Sequence, residues 1–335
     1  MAIEKTFHPP ALGFFLILLL MAWNQTADAG EPWNFYGELE FDSFIEDSDE
    51  GPGGRTLDFG IEKIQLGAKY REGRRKARFE LGQKGDIRRL WGEYKFGKIW
   101  FLAGKDYTPV YMDYCLDDYG GLSAGRRAML RLRYKGFKIA AIEPRLKTLG
   151  VSGASKEVKL PKMEISYNFA KGPLGIEAAA GFNRYTLKSA SGNYDVNSWV
   201  LGLGLDMAWG PLYLGGSIHT SQNPGPYGLY SATDGNPVIS GSQVHANDNF
   251  GYAFMVLYRI RDNLMIETGW GQSRNRVDTA PGRDMAESLY LLLHYAPVQG
   301  LWIRPEIGIR DYEAGLQGLP KSRTLYYGIK WKVNF

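Results

Sequence analysis

Three groups of residues carry the chemistry this sequence could support. His219 and Ser221 flank Thr220, a spacing that puts both on one face of an extended strand, where a base can approach a nucleophile. Asp113, Asp117 and Asp118 fall in one irregular stretch, 106–124, together with Cys115. Arg78, Arg89, Arg127, Arg131 and Arg133 lie on either side of that stretch. Carboxylates facing guanidiniums across a partly dehydrated gap set up a strong local field. Other chemistries lack their parts. The single Cys115 cannot form an internal disulfide and reads as a small packed loop residue rather than a reactive thiol. The histidines show no spacing of a zinc site, and no Gly-rich phosphate loop or nucleophile elbow is present. No metal and no cofactor is expected.

The elements that hold these residues begin after an export signal. Lys5 precedes an apolar run from Ala11 to Trp23 and the triplet Ala27-Asp28-Ala29, which predicts a signal peptide over residues 1–29. That run falls short of the roughly 20 residues a membrane-spanning helix needs. The formal net charge is +4, and with no clustered Lys/Arg run it gives no case for nucleic acid as a partner.

Residues 30–335 alternate apolar and polar side chains from end to end. In FYGELEFDSFI, Phe35, Leu39, Phe41 and Ile45 share one face and Glu38, Glu40 and Asp42 the other; in the terminal YYGIKWKVNF, Tyr327, Ile329, Trp331, Val333 and Phe335 oppose Lys330 and Lys332. A period of two is the strand signature. Strand-like segments fall at about 35–45, 56–70, 76–84, 87–96, 98–105, 125–134, 137–143, 162–170, 174–187, 195–209, 211–219, 249–260, 263–272, 286–296, 301–311 and 323–335. Segment 56–70 changes phase near Glu62-Lys63, where a bulge is expected. Tight connections such as Gly97-Lys98, Lys135-Gly136 and Gly210-Pro211 alternate with mostly long polar ones such as 106–124 and 220–248. This predicts an all-β fold: a transmembrane antiparallel β-barrel of about sixteen strands with short periplasmic turns and long outer loops. A soluble β-sandwich would also alternate, but its loop lengths would not.

FYGELEFDSF at the start, and IRRLWGEYKFGKIWFLAGKDYTPVY leading into a long loop, resemble the general porins of Gram-negative bacteria, sixteen-stranded trimeric diffusion channels. The loop KDYTPVYMDYCLDDYGGLSAGRR departs from the usual consensus beyond its Gly-Gly. The resemblance implies passive passage of small hydrophilic solutes and ions, no enzymatic step, a location in the bacterial outer membrane among its lipid and lipopolysaccharide, and a homotrimer. It also implies a third long loop, 106–124, folded into the pore, where Asp113, Asp117 and Asp118 would face a wall of Arg78, Arg89, Arg127, Arg131 and Arg133. Trp331, Val333 and Phe335 resemble the terminal signal read by the barrel assembly machinery.

Alternatives stay open on the residues themselves. The arginines could simply solvate a wet lumen by pairing with Glu80 and Glu93, while Arg304 and Arg310 could extend the basic wall. Tyr227, Tyr230 and neighbouring Asn and Asp residues could form an affinity site for a sugar, and a solute-specific sugar or anion channel is the second reading. His219-Thr220-Ser221 resembles the His-x-Ser of outer-membrane phospholipases, which face lipid; here His219 shares its phase with Ser217, opposite the apolar Leu212, Leu214 and Ile218, which argues against catalysis.

Overall fold

The computed structural model describes residues 32–49, 54–112, 114–115, 119–190, 192–230, 233, 235–318 and 322–335. The expected signal peptide and the loop residues Asp113, Asp117 and Asp118 lie outside them.

In chain order the strands are β1 (Trp33–Ser48), β2 (Arg55–Glu72), β3 (Arg75–Leu81), β4 (Ile87–Phe96), β5 (Ile99–Tyr107), β6 (Tyr111–Met112), β7 (Leu122–Ser123), β8 (Arg126–Tyr134), β9 (Phe137–Ile142), β10 (Ser155–Glu157) and β11 (Lys162–Lys171). They continue with β12 (Leu174–Ser189), β13 (Gly192–Trp209), β14 (Leu212–Gln222), β15 (Val238–Ser240), β16 (Gln243–His245), β17 (Asn247–Arg261), β18 (Leu264–Val277), β19 (Arg283–Val298), β20 (Leu301–Ala314) and β21 (Arg323–Asn334). A short helix, α1 (Pro224–Tyr227), follows β14. Seventeen strands form one sheet. Within it the three-residue β10 pairs with β12 just past the β11–β12 ladder, so sixteen full staves remain among the described residues. Each runs antiparallel to its neighbours, and β21 pairs with β1 from Glu38↔Asn334 to Ser48↔Thr324. The sheet therefore closes on itself and leaves no unpaired edge, the condition for a sheet that spans a membrane.

The alternation explains the two surfaces. Along β11, Lys162, Glu164 and Ser166 are buried while Met163, Ile165 and Tyr167 stand exposed on the outside. Leu201, Leu203 and Leu205 of β13 are each about half exposed, and Phe254 and Val256 of β17 continue the outer apolar surface. Such an extended apolar surface is unfavourable in water and suits the hydrocarbon layer. The wall is that of a transmembrane barrel. Its register shifts between Glu40 and Phe41, which face Lys63 and Ile61 and leave Glu62 as the extra residue. The phase change read in the sequence is this bulge.

Several strands run past the segments read from apolar spacing. β18 continues to Val277, with Asn249↔Asn275 still paired, because pairing persists above the apolar layer where both faces become polar. By the same extension β12 and β13 leave only residues 190–191 between them. At one rim, Lys135 adopts φ 50. The next residue is glycine because a Cβ there would overlap the carbonyl of Asn168.

Candidate functional site

The inner face of β3, β4, β5 and β8 carries a dense array of cations, fixed by three carboxylates. Glu80 of β3, 1 % exposed, accepts from Tyr36 Oη at 2.7 Å, Arg78 Nη2 at 2.7 Å and Arg88 Nε at 3.1 Å. Arg89 Nε lies 3.7 Å from the same carboxylate and 3.8 Å from Asp106 of β5. Arg131 Nη1 is 3.5 Å from Asp106, and its Nη2 is 3.7 Å from Glu93. Arg133 donates to Glu93 at 3.0 Å. Each buried carboxylate thus neutralises part of a larger positive set, which satisfies the carboxylates and leaves an excess of positive charge on this wall.

Arg78, Arg89, Arg131 and Arg133 therefore share one network. Arg127 stands apart from these ion pairs and lines a recess of about 350 Å³ with Arg126, Arg145, Lys147 and residues from the 225–235 stretch. No carboxylate lines that recess among the described residues.

Sequence reasoning missed Arg88 because a register shift between Glu80 and Leu81 lets two consecutive arginines reach one carboxylate. Asp106 was missed because β5 extends two residues beyond the expected segment, to Tyr107. Tyr107 lies against the guanidiniums of Arg89 and Arg126, 4.5 and 5.0 Å from its ring centre. Arg304 sits among Glu40, Glu267, Glu38 and Glu306, and Arg310 pairs with Glu46 at 3.0 Å. They belong to a mixed acidic and basic sector, and do not extend the basic wall.

The described parts of the segment after β5 reach the sheet far around it, at inward-facing side chains and at strand backbone. Val110 N–H donates to Glu164 Oε2 on β11 at 2.8 Å. Leu122 fills the space a Cβ would need at Gly202 on β13, and Gly120 lies against backbone carbonyls of Tyr252 and Gln272 on β17 and β18. Tyr119 N–H donates to Ser288 Oγ on β19 at 3.2 Å, and its ring meets Tyr312 of β20. Cys115 is buried with Phe44, Tyr290 and Tyr326, a packing role.

His219 and Ser221 are buried on the inner face, and both bond Asn249 Oδ1, at 3.1 and 3.2 Å. The serine hydroxyl donates to Asn249, so the pair lacks the base–nucleophile bond that catalysis requires. Tyr227 is fully buried and donates to Glu164 Oε1 at 2.8 Å, so its ring is not available to stack on a sugar. Burial and the adjacent Glu164 charge hold its phenol well above the usual tyrosine range.

No protein-family model matches the chain, and no curated protein matches it in sequence. Solved structures match its shape. The outer membrane channel DcaP of Acinetobacter baumannii shares 16% identity at a TM-score of 0.73, over 93% of this chain and 99% of that one. OmpF of Salmonella typhi shares 11% identity at 0.63, over 90% and 97%. An anion-selective porin from Comamonas acidovorans shares 11% identity at 0.62, over 90% and 99%. The fold is that of the sixteen-stranded outer-membrane porins.

Proposed function

We propose that this chain is an outer-membrane porin, through which small hydrophilic solutes and ions diffuse passively along a water-filled lumen narrowed by residues 106–124. The observation that carries this reading is the contact of that segment with strands from β11 to β20, at inward side chains and at backbone, in a closed barrel whose inner face is charged. Selectivity follows from pore radius and wall charge, and no covalent step is involved. Arg78, Arg89, Arg131 and Arg133 form the basic wall. Asp106, Glu80 and Glu93 partner it, and Asp113, Asp117 and Asp118 are assigned to the opposing side of the constriction. The tight rim carries the periplasmic turns, the other the outer loops. A signal peptide over residues 1–29, assembly through the Phe335 terminus, lipopolysaccharide contact and a homotrimer complete the reading.

Liposome swelling tests it. Proteoliposomes should swell in small sugars at rates that fall steeply with solute mass, and impermeability to every small solute would overturn it. An unheated gel band near three times the monomer mass tests the trimer.

One observation favours the second reading, a channel with an affinity for anions. The excess positive charge of the β3–β8 wall and the recess around Arg126, Arg127, Arg145 and Lys147 would attract anionic solutes, and one structural neighbour is an anion-selective porin. Saturable block of conductance by a small anion would separate this reading from simple diffusion.

A further inference from the structure

Glu164 of β11 holds two separate connections at once. Its Oε2 accepts the Val110 amide of the inserted segment at 2.8 Å. Its Oε1 accepts the Tyr227 hydroxyl, from α1 in the 223–246 connection, at 2.8 Å. Lys162 Nζ completes the arrangement, 2.8 Å from Glu164 Oε1 and 3.0 Å from the Tyr227 carbonyl, with the Tyr227 ring centre 3.7 Å away. Both charged side chains are about 2 % exposed. A buried ion pair is tolerated when its remaining donors and acceptors are met, and becomes costly once one partner is removed. Here those partners come from both connections.

Two further contacts join the same parts. Tyr230 N–H donates to Ser123 O at 2.7 Å, a direct bond between the two connections. Val110, Met112, Leu122, Tyr227 and Leu229 share one apolar cluster against the wall. Separately, Asn183 Nδ2 of β12 donates to Pro226 O at 3.1 Å, which ties the outer connection to the wall, and to Arg145 O at 3.4 Å. A glycine at 181 makes room, since a Cβ there would overlap the Tyr227 hydroxyl.

We infer that Lys162 and Glu164 are positioning residues that couple the 223–246 connection to the 106–124 segment, so that loosening the outer connection alone alters the pore. This rests on the proposal that 106–124 narrows the lumen. Detaching either connection leaves the Lys162–Glu164 pair short of a partner, so the two are held or released together. The outer connection thereby acts as a brace for the constriction.

The test is single-channel recording of the full chain in planar bilayers, with folding checked by unheated gel migration. The variants are Glu164→Gln, Tyr227→Phe, their combination, and Asn183→Ala. Each single variant is expected to lose the uniform conductance step and show excess open-channel noise with a shifted reversal potential. The double variant should be no worse than Glu164→Gln alone, because both changes act through one carboxylate. Asn183→Ala removes an anchor of the outer connection without touching Glu164, and stays informative if Glu164→Gln does not fold. Wild-type-like traces from folded Tyr227→Phe and Asn183→Ala, or strictly additive effects of Glu164→Gln and Tyr227→Phe, would overturn the coupling while leaving the pore reading intact. Absence of wild-type conductance would overturn the pore reading itself, and the coupling with it.

Discussion

Lys332 Nζ lies 2.8 Å from Glu38 Oε2, an ion pair that joins the last strand of the chain to the first across the closing seam. Lys332 is also 3.1 Å from Glu40, and Lys63 approaches Glu38 from the other side at 2.5 Å. These side chains are mostly withdrawn from solvent, so the removal of one leaves its partners undercompensated. Lys332→Met is expected to destabilise the barrel by about 1–3 kcal/mol. The measurement is the temperature at which the compact gel form converts to the unfolded one. An unchanged temperature would show that the seam does not depend on this pair.

The terminal residue is paired as well as exposed. Phe335 N–H donates to Gly37 O at 3.1 Å and Phe335 O accepts from Gly37 N–H at 2.6 Å, while its ring occupies the space a Cβ at Gly37 would need. Deletion of Phe335 should lower the fraction of chain recovered folded in the outer membrane, as should Trp331→Asp on the same outward face. Full recovery of the Phe335 deletion would remove this terminus from any assembly role.

Charge reversal on the basic wall should change ion preference. Arg131 stands between Asp106 and Glu93, so Arg131→Glu replaces a shared cation with a third carboxylate. Under a salt gradient the reversal potential should move toward cation preference. Arg276→Glu, at an exposed position paired with Asp278, should move it far less. Equal shifts for the two variants would mean that the β3–β8 wall does not line the conducting path.

Alkaline pH should loosen the packing of the 106–124 segment. Burial raises the phenol of Tyr114 above its ordinary range, and burial with the nearby Glu164 does the same for Tyr227. Folding therefore favours the protonated phenols. Their contribution is complete below the unfolded value of about 10 and is lost as pH rises beyond it. Thermal stability should fall above about pH 10, and Tyr227→Phe should weaken that fall.

Much of the wall was legible because one rule governs it. Ile329, Trp331 and Val333 on one side and Lys330 and Lys332 on the other could be assigned from a period of two, and the Glu62 bulge from a break in that period. Arg88 was hidden because its register shift falls at the very start of β4, where no alternation precedes it to show a break in period. The apolar inner patch of Tyr185, Leu187, Tyr194 and Val196, covered by Leu146, Leu149, Val151 and Ile239, was also hidden. A rule that assigns inward residues to water does not anticipate connections folding back over them. Lys162, Glu164 and Tyr227 meet only in three dimensions, and Tyr227 looked like a free aromatic because its partner lies far away in the chain.

Planar-bilayer conductance under a salt gradient tests the central claim most directly. The wild-type chain should give large, stable, ohmic steps with a reversal potential on the anion side. Folded protein that inserts and yields no steps at all would contradict the account.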